Sequence, residues 1–348
     1  MNRKLYFISR RTVAGCLLVS VCASAQAETK LGVDLGFRSD ELQWSIPGAF
    51  RGKDGVIYQQ NIISELTWKN LKSNYLGAHG LFQDGQFVAR GDVGYGIINS
   101  GDNQDSDYRG NNRTEEFSRS NNKSNGDHVS DAKIGVGLNL DNLAGPSFQF
   151  TPMAGISSHV QSLRMTDLNQ TVSVSQYAPL QIEPIDVGQY SGLDSSYETK
   201  WVGPWVGFNA RLQIDSTIAV RANFEHHWAD YSGQGNWNLR DCLDHPESFT
   251  HSAEGTGNDL GFGADIQLNT NVMLFFGMTA SSWITDAGTG TVHLPADYYT
   301  RRNSQGRLVC LAEADLPLPQ DRIFDFSTQL NEVKWNTRSY LVGINMRL

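Results

Sequence analysis

Beyond its first 27 residues the sequence lacks any run of about 18 consecutive apolar residues, and this absence excludes membrane-spanning helices. Basic residues are also few. Residues 1–27 contain four basic and no acidic residues, so the rest of the chain has 24 basic and 37 acidic residues and a net charge of −13. This balance argues against nucleic acid or an anionic surface as the main partner.

Motifs of common enzyme chemistry are absent as well. The sequence has no P-loop, no G-x-S-x-G elbow and no H-E-x-x-H zinc motif. Paired glycines such as Gly94 and Gly96 do not complete a G-x-G-x-x-G fingerprint. His226 and His227 are neighbours in a predicted strand, so their side chains point to opposite faces and do not share one metal. We therefore expect no metal site and no cofactor.

What the chain does contain begins with an export signal. Four basic residues precede a short apolar stretch, and Ala25-Gln26-Ala27 is a typical small-residue cleavage site. These features predict a cleaved signal peptide over residues 1–27 and one mature domain over residues 28–348. A twin-arginine signal and a lipoprotein box are alternatives, but Cys16 precedes the apolar stretch instead of closing it.

The mature sequence repeats a two-residue alternation that is typical of β-strands. From Leu31 to Phe37, every second residue is apolar, and the same pattern ends the chain from Tyr340 to Leu348. A soluble β-sandwich also alternates. Here the second face carries small residues and charges of both signs, as the wall of a polar lumen would, while the first face is continuously apolar, as lipid requires. The pattern predicts an all-β fold, a transmembrane antiparallel β-barrel.

The connections between the predicted strands alternate between short and long. We assign ten strands to residues 30–44, 60–83, 86–98, 130–141, 148–163, 197–213, 217–231, 257–268, 272–285 and 333–348. Short turns at Asp84-Gly85 and at residues 142–147, 214–216 and 269–271 alternate with long polar connections, which predicts periplasmic turns, long extracellular loops and periplasmic termini. The expected location is the bacterial outer membrane, and the expected partners are its lipid and the periplasmic export and outer-membrane assembly machinery. The residues predicted to face lipid are Leu31, Val33, Phe87, Val136, Leu260, Ile344 and Met346.

Charges of both signs are predicted to line the lumen. A bore of this strand number is narrow, and mixed charges are expected to pair across it rather than leave an open channel. Trp44, Trp68, Trp228, Trp283 and Tyr340 are predicted to form interfacial girdles. The predicted lumen charges are Asp34, Arg38, Arg90, Asp92, Asp131, Lys133, Arg211, Arg221, Glu225, Asp265 and Arg347.

Only two cysteines, Cys242 and Cys310, remain after the signal peptide. Exported proteins meet an oxidising compartment, in which such a pair favours a structural bridge over a catalytic thiol. Both cysteines lie in long connections that neighbouring hairpins place side by side. We predict a disulfide between them.

Three short stretches give the sequence a family resemblance. Residues 64–69 (Ser-Glu-Leu-Thr-Trp-Lys), Asp105-x-Asp107 and Met153-Ala154-Gly155 occur in the order and spacing seen in omptins, the ten-stranded outer-membrane proteases. The resemblance implies a catalytic aspartate pair at Asp105 and Asp107, facing an aspartate-histidine pair across the barrel mouth. Gly235 and Trp237 stand at the positions of that second pair, and neither can activate a water. His226, His227, Asp230 and His245 are the nearby alternatives for a displaced base.

A second resemblance is carried by Trp201-Val202-Gly203-Pro204-Trp205, by Ala229-Asp230-Tyr231 and by residues 235–240. These stretches are similar to the Protochlamydia-type outer membrane proteins. The resemblance implies an outer-membrane location and a porin activity. We expect a non-enzymatic barrel with a porin-like or surface-recognition role. The alternative is an omptin-type endopeptidase with a displaced catalytic histidine.

Overall fold

The computed structural model describes residues 27–51, 57–142, 145–176, 185–240, 243–294, 298–302, 308–312 and 326–348. The predicted signal peptide up to residue 26 lies outside the described residues. Cys242 and the side chain of Cys310 lie outside them as well, and with them the predicted disulfide.

One antiparallel sheet of ten strands closes on itself as a ring. The first strand pairs along its length with the last, from Lys30 opposite Arg347 to Ser45 opposite Glu332. The all-β barrel predicted from the alternation is therefore confirmed. The strands are β1 (Glu28–Arg51), β2 (Ile57–Asp84), β3 (Phe87–Tyr108), β4 (Glu116–Lys123, His128–Leu138 and Leu140–Asn142), β5 (Gly145–Ser173), β6 (Ser195–Gln213), β7 (Ile218–Asn236), β8 (Phe249–Gln267), β9 (Val272–Thr285 and Gly288–Val292) and β10 (Phe326–Leu330 and Glu332–Arg347).

Tight turns join the strands at one end of the ring, which we call the turn end. Gly85 turns the chain between β2 and β3 with a positive φ of 59°, a conformation that glycine adopts without steric cost. Between β6 and β7, Asp215 Oδ1 accepts hydrogen bonds from the backbone N–H groups of Thr217 and Ile218. Asn269 does the same between β8 and β9. Such side-chain caps are the reason aspartate and asparagine favour turns.

At the opposite end, the loop end, the strands continue farther than the sequence pattern predicted. β1 ends at Arg51 rather than residue 44, and β3 ends at Tyr108 rather than residue 98. Several predicted loop residues are therefore part of the wall. The loop end also holds a short 3₁₀ helix (Asn111–Arg113), a short strand (Gly188–Tyr190) and a hairpin (Tyr298–Arg302 with Leu308–Ala312). Among the described residues no helix is long and apolar enough to cross a membrane.

The wall has opposite polarity in its two halves. Toward the turn end, apolar side chains point outward, and all seven residues predicted to face lipid are exposed. Their neighbours along each strand point inward and are polar, such as Asp34 and Arg38 on β1. Toward the loop end, the outward residues are polar and the inward residues form a cluster of eighteen buried side chains, which we call the inner core. All ten strands contribute to the inner core.

The prediction of interfacial aromatic girdles is wrong at three of its five residues. Trp44, Trp68 and Trp283 are buried in the inner core, whereas Trp228 and Tyr340 are exposed on the outer wall. A bulge between Lys69 and Lys72 shifts the register of β2 against β3. Because such a shift moves side chains to the other face, the alternation beside the bulge could not place Trp68.

Candidate functional sites in the lumen and at the barrel mouth

The lumen contains two networks of paired charges. In the first, Arg38 on β1 donates two hydrogen bonds to Asp40 and one to Asp131 on β4. Asp131 also accepts a hydrogen bond from Tyr75 and contacts His159 Nδ1 at 2.8 Å. Buried charges persist only when they are paired in this way. This network ties strands β1, β2, β4 and β5 together across the bore.

The second network is centred on Glu225 of β7. Arg90 donates a hydrogen bond to its Oε1, and Lys133 Nζ lies 2.8 Å from its Oε2. Lys133 is also 3.5 Å from Asp259 Oδ2, and His227 Nε2 lies 3.4 Å from Glu225 and 3.5 Å from Asp259. Arg90 and Lys133 are the fixed cations of this network, and Arg90 is shared with Asp92.

Glu225, His227 and Asp259 together have the spacing of a metal-binding group. The ammonium of Lys133 already occupies the position between the two carboxylates. A divalent cation at this position would lie close to the ammonium of Lys133 and be repelled by it. The chemistry of this group therefore favours lysine as its resident cation.

Above the two networks the inner core lies across the bore. Trp44 on β1 and Tyr197 on β6 lie on opposite sides of a ten-strand ring, yet their ring centroids are 5.7 Å apart. Trp201 on β6 reaches Trp335 on β10 at 6.2 Å. Trp335 Nε1 donates a hydrogen bond to Asp40, which links this layer to the charges below it. Side chains from facing walls therefore touch across the lumen.

A cavity of about 390 Å³ remains below the inner core. It extends from Trp283 and Trp335 at the core to Lys30 and Gln83 at the turn end. Of the predicted lumen charges, all except Arg347 line this cavity. Arg347 instead lies at the barrel edge, where it is exposed and bonded to Glu28. The structure thus brings together nearly the whole predicted set.

The aspartate pair lies at the mouth, on the part of β3 that extends beyond the apolar band. Asp105 pairs in register with Leu66 and Asp107 with Ser64. Burial, followed by the negative charge of Asp107, raises the pKa of Asp105, and Arg240 lowers it. Burial also raises the pKa of Asp107, although its hydrogen bond with Ser64 opposes the shift. The two carboxyl groups therefore retain protons more readily than free aspartates.

No base faces this pair from the positions that the omptin resemblance implies. Gly235 has no space for a side chain, because an added Cβ would lie 2.2 Å from the ring of Phe249. Trp237 packs edge-on against the same ring, with centroids 4.6 Å apart. The residue whose charge acts on both aspartates from the β7–β8 connection is Arg240. An arginine stabilises their anionic form and cannot act as a base at neutral pH.

The four alternative bases are dispersed. His226 bonds to Asn258 on the outer wall, and Asp230 is exposed on the same face. His227 is buried in the second lumen network. His245 bonds to Asn236 at 2.7 Å.

Sequence reasoning missed three inward groups of interest. His159 joins the first network, Asp40 links it to Trp335, and His251 is buried within the inner core beside Tyr197. Burial lowers the pKa of His251 to about 4, so its imidazole is neutral at neutral pH. His159 and Asp40 lie in phase with inward residues of their strands, which was the available signal. His251 is in phase with Asp259 on the same strand, but it precedes the predicted start of that strand at residue 257.

The closed antiparallel ring, its outward apolar band and its charged lumen define an outer-membrane β-barrel. The particular family follows from comparison of sequences. Residues 32–348 match the model of the Protochlamydia outer membrane protein family, and the chain belongs to that family. No curated protein matches the sequence.

Among solved structures, the outer membrane protease OmpT from Escherichia coli is similar, with a TM-score of 0.64 and 11% identity over 94% of this chain and 99% of that one. The likeness to OmpT shows a shared fold alone. The toluene transporter TbuX from Ralstonia pickettii matches with a TM-score of 0.32 and 8% identity over 94% and 90% of the two chains. The translocator domain of the autotransporter NalP from Neisseria meningitidis matches with a TM-score of 0.31 and 10% identity over 91% and 88%.

Proposed function

We propose that this protein is a non-enzymatic surface-recognition barrel of the outer membrane whose lumen does not pass solutes. The inner core is the observation that carries this proposal. Its side chains meet across the ring at centroid distances of 5.7 to 6.2 Å. These contacts across the ring support a lumen without a continuous aqueous path between the cavity and the mouth.

The charge networks below the core also oppose conduction. Arg38 and Glu225 are each held by partners on other strands, with 5% and 1% of their surfaces exposed. Moving these side chains aside would leave buried charges unpaired, which costs several kcal/mol in each case. A solute would have to pass through both the charge networks and the inner core.

The mouth does not support the endopeptidase alternative. The aspartate pair faces an arginine rather than a base, and Phe249 fills the space next to Gly235. Water activation requires a titratable group within hydrogen-bond reach of the attacking oxygen. The same features suit recognition, because a rigid mouth with fixed acidic and basic groups is a scaffold on which surface loops bind partners.

The polarity of the outer wall supports placing the loop end outside the cell. On β10 the outward residues change from Ile344, Val342 and Tyr340 to Arg338, Asn336 and Lys334. Beyond the apolar band the barrel therefore presents a polar wall to water. Short turns typically face the periplasm in this class, which would place both termini there.

Planar-bilayer recording of the refolded protein tests the closed lumen. We expect no stable conductance steps in concentrated salt, with a wide bacterial porin as the positive control for insertion. Parallel incubation with basic peptides tests for peptidase activity, which we expect to be absent. Regular conductance steps from the wild-type protein would refute the closed lumen. Peptide cleavage that disappears in an Asp105→Ala, Asp107→Ala variant would establish the endopeptidase instead.

Recognition itself is tested with protein embedded in nanodiscs and applied to arrays of glycans and extracellular-matrix proteins. We expect binding that requires the loop end. The informative variant replaces residues 109–115, which include the 3₁₀ helix, with a glycine-serine linker. Binding that this variant and an empty nanodisc retain equally would contradict a recognition surface in this region.

A further inference from the structure

Two arginines lie directly opposite each other inside the barrel. Arg211 on β6 and Arg221 on β7 are a register pair, and both line the cavity. Like charges at directly opposite positions of neighbouring strands destabilise a sheet. The pair therefore needs negative charge nearby.

Among the described residues, one carboxylate ion-pairs with both arginines. Asp265 Oδ2 lies 3.8 Å from Arg211 Nε, and Asp265 Oδ1 lies 3.3 Å from Arg221 Nη2. Asp34 also attracts Arg221 electrostatically, but its carboxylate lies 3.3 Å from His79 Nδ1. Two guanidinium groups therefore share one ion-pairing carboxylate.

The guanidinium groups also lack hydrogen-bond acceptors. Arg38 and Arg90 each donate three hydrogen bonds to side chains in the lumen. Within the described part of the chain, Arg211 and Arg221 donate none, and about a third of each side chain is exposed to the cavity. Their N–H groups are therefore available to a ligand.

Arg221 is held in position by an aromatic ring. Its guanidinium carbon lies 3.6 Å from the ring centroid of Phe275, which covers one face of the planar group. The edge of a stacked guanidinium remains free to form the paired N–H contacts that match carboxylate and phosphate oxygens. Asn223 also lines this part of the cavity and adds an amide group.

We infer that Arg211 and Arg221 form a binding site for a small oxyanion, that is, for a carboxylate or phosphate group of a solute that fits the 390 Å³ cavity. The anion supplies the acceptors and the negative charge that Asp265 alone does not provide. Access is from the turn end, where Lys30 and Gln83 line the cavity. The inference does not depend on the recognition role, because a closed lumen can hold an anion without passing it.

Thermal unfolding of the refolded protein in detergent, followed by tryptophan fluorescence, tests the site. Inorganic phosphate and acetate are titrated separately against sodium chloride at equal ionic strength. We expect one or both oxyanions to raise the melting temperature with a saturating dependence on concentration. An Arg211→Gln, Arg221→Gln variant should weaken the apparent affinity by about tenfold or more, because charged hydrogen bonds are lost. Arg347→Gln is the control, since Arg347 is a cation at the same end but outside the cavity.

The two arms distinguish the ligand chemistry. Saturation by phosphate alone assigns a phosphate site, and saturation by acetate alone assigns a carboxylate site. The inference is overturned if neither anion stabilises the protein more than chloride does, or if the double variant retains the full effect. If the double variant does not fold, Arg211→Lys replaces it. This variant keeps the charge but loses the planar fork, and an unchanged affinity in it would contradict the inference.

Discussion

At the scale of single residues, Gly235 limits which side chains can face the aspartate pair. A Cβ at this position would collide with Phe249, whose ring belongs to the inner core. An acidic residue could not be introduced here without displacing that ring. Position 235 therefore lacks an acidic side chain because of core packing as well as of sequence.

The buried carboxyl of Asp105 gives the first prediction. Its folded-state pKa is raised, so folding is penalised as pH rises above the unfolded pKa of about 3.9 toward the raised value. Asp105→Asn removes this penalty. We expect the variant to be more stable than wild type at pH 7 by on the order of 1 kcal/mol, with the difference vanishing below about pH 4. Urea unfolding at several pH values measures it.

Asp102→Asn is the matched control for this prediction. Asp102 is on the same strand but is exposed and paired with Lys123. Exposed ion pairs contribute little, so its replacement should leave stability nearly unchanged. A destabilising effect of Asp105→Asn at pH 7 would show that Asp105 acts as a stabilising anion instead.

The second prediction concerns Lys133, the shared cation of Glu225 and Asp259. Lys133→Ala leaves two buried carboxylates with one cation fewer. We expect a loss of about 3–5 kcal/mol in unfolding free energy, the usual effect of breaking a buried pair. Lys123→Ala, which breaks an exposed pair, should cost less than about 1 kcal/mol. Equal losses in the two variants would mean that water screens the lumen network.

At the scale of the strands, the two-residue alternation continues along a strand while the face that carries the apolar residues changes from outward to inward. β10 carries apolar residues outward near the turn end and inward near the loop end, where Val333 and Trp335 join the inner core. Lipid demands the first arrangement and water the second. The strand itself continues without interruption through this change over Glu332–Arg347.

This inversion explains how much the sequence could predict. Alternation placed the outward residues of the apolar band and collected the lumen charges, because phase is maintained within a regular strand. At the loop end the alternation predicted strand ends too early. There the apolar residues point inward and the outward residues are polar, so the sequence resembles a polar loop. It could not pair the charges, since partners such as Arg90 and Glu225 are 135 residues apart. The groups opposite Asp105 were equally hidden, because Arg240 follows the end of a strand.

The third prediction tests the inversion along one strand. Ile344→Arg places a charge within the apolar band and should cost about 2–4 kcal/mol if residue 344 lies near the bilayer midplane. Asn336→Arg places the same charge on the outward polar wall and should cost close to nothing. Reversible unfolding in lipid vesicles compares the two. Similar costs would show that the band does not end near Tyr340.

At the scale of the whole molecule, two layers of different chemistry lie across the bore. The inner core joins all ten strands, and the charge networks lie directly beneath it. The fourth prediction is that Trp335→Ala destabilises the barrel by about 3–5 kcal/mol, as large core truncations do, yet produces no stable conductance in a planar bilayer. The ion-paired layer should still block the path. Steady conductance in this variant would show that the tryptophan layer alone closes the lumen.

The inner core also bears on the order in which the parts of the barrel fold. Trp44 on the first strand and Trp335 on the last both belong to it, and their strands meet only when the ring closes. The inner core can therefore be complete only once the first and last strands have paired. We expect its tryptophans to be shielded from water only after this closure. The change in their fluorescence would therefore report closure of the ring. A barrel that has not closed would expose these indoles to chaperones.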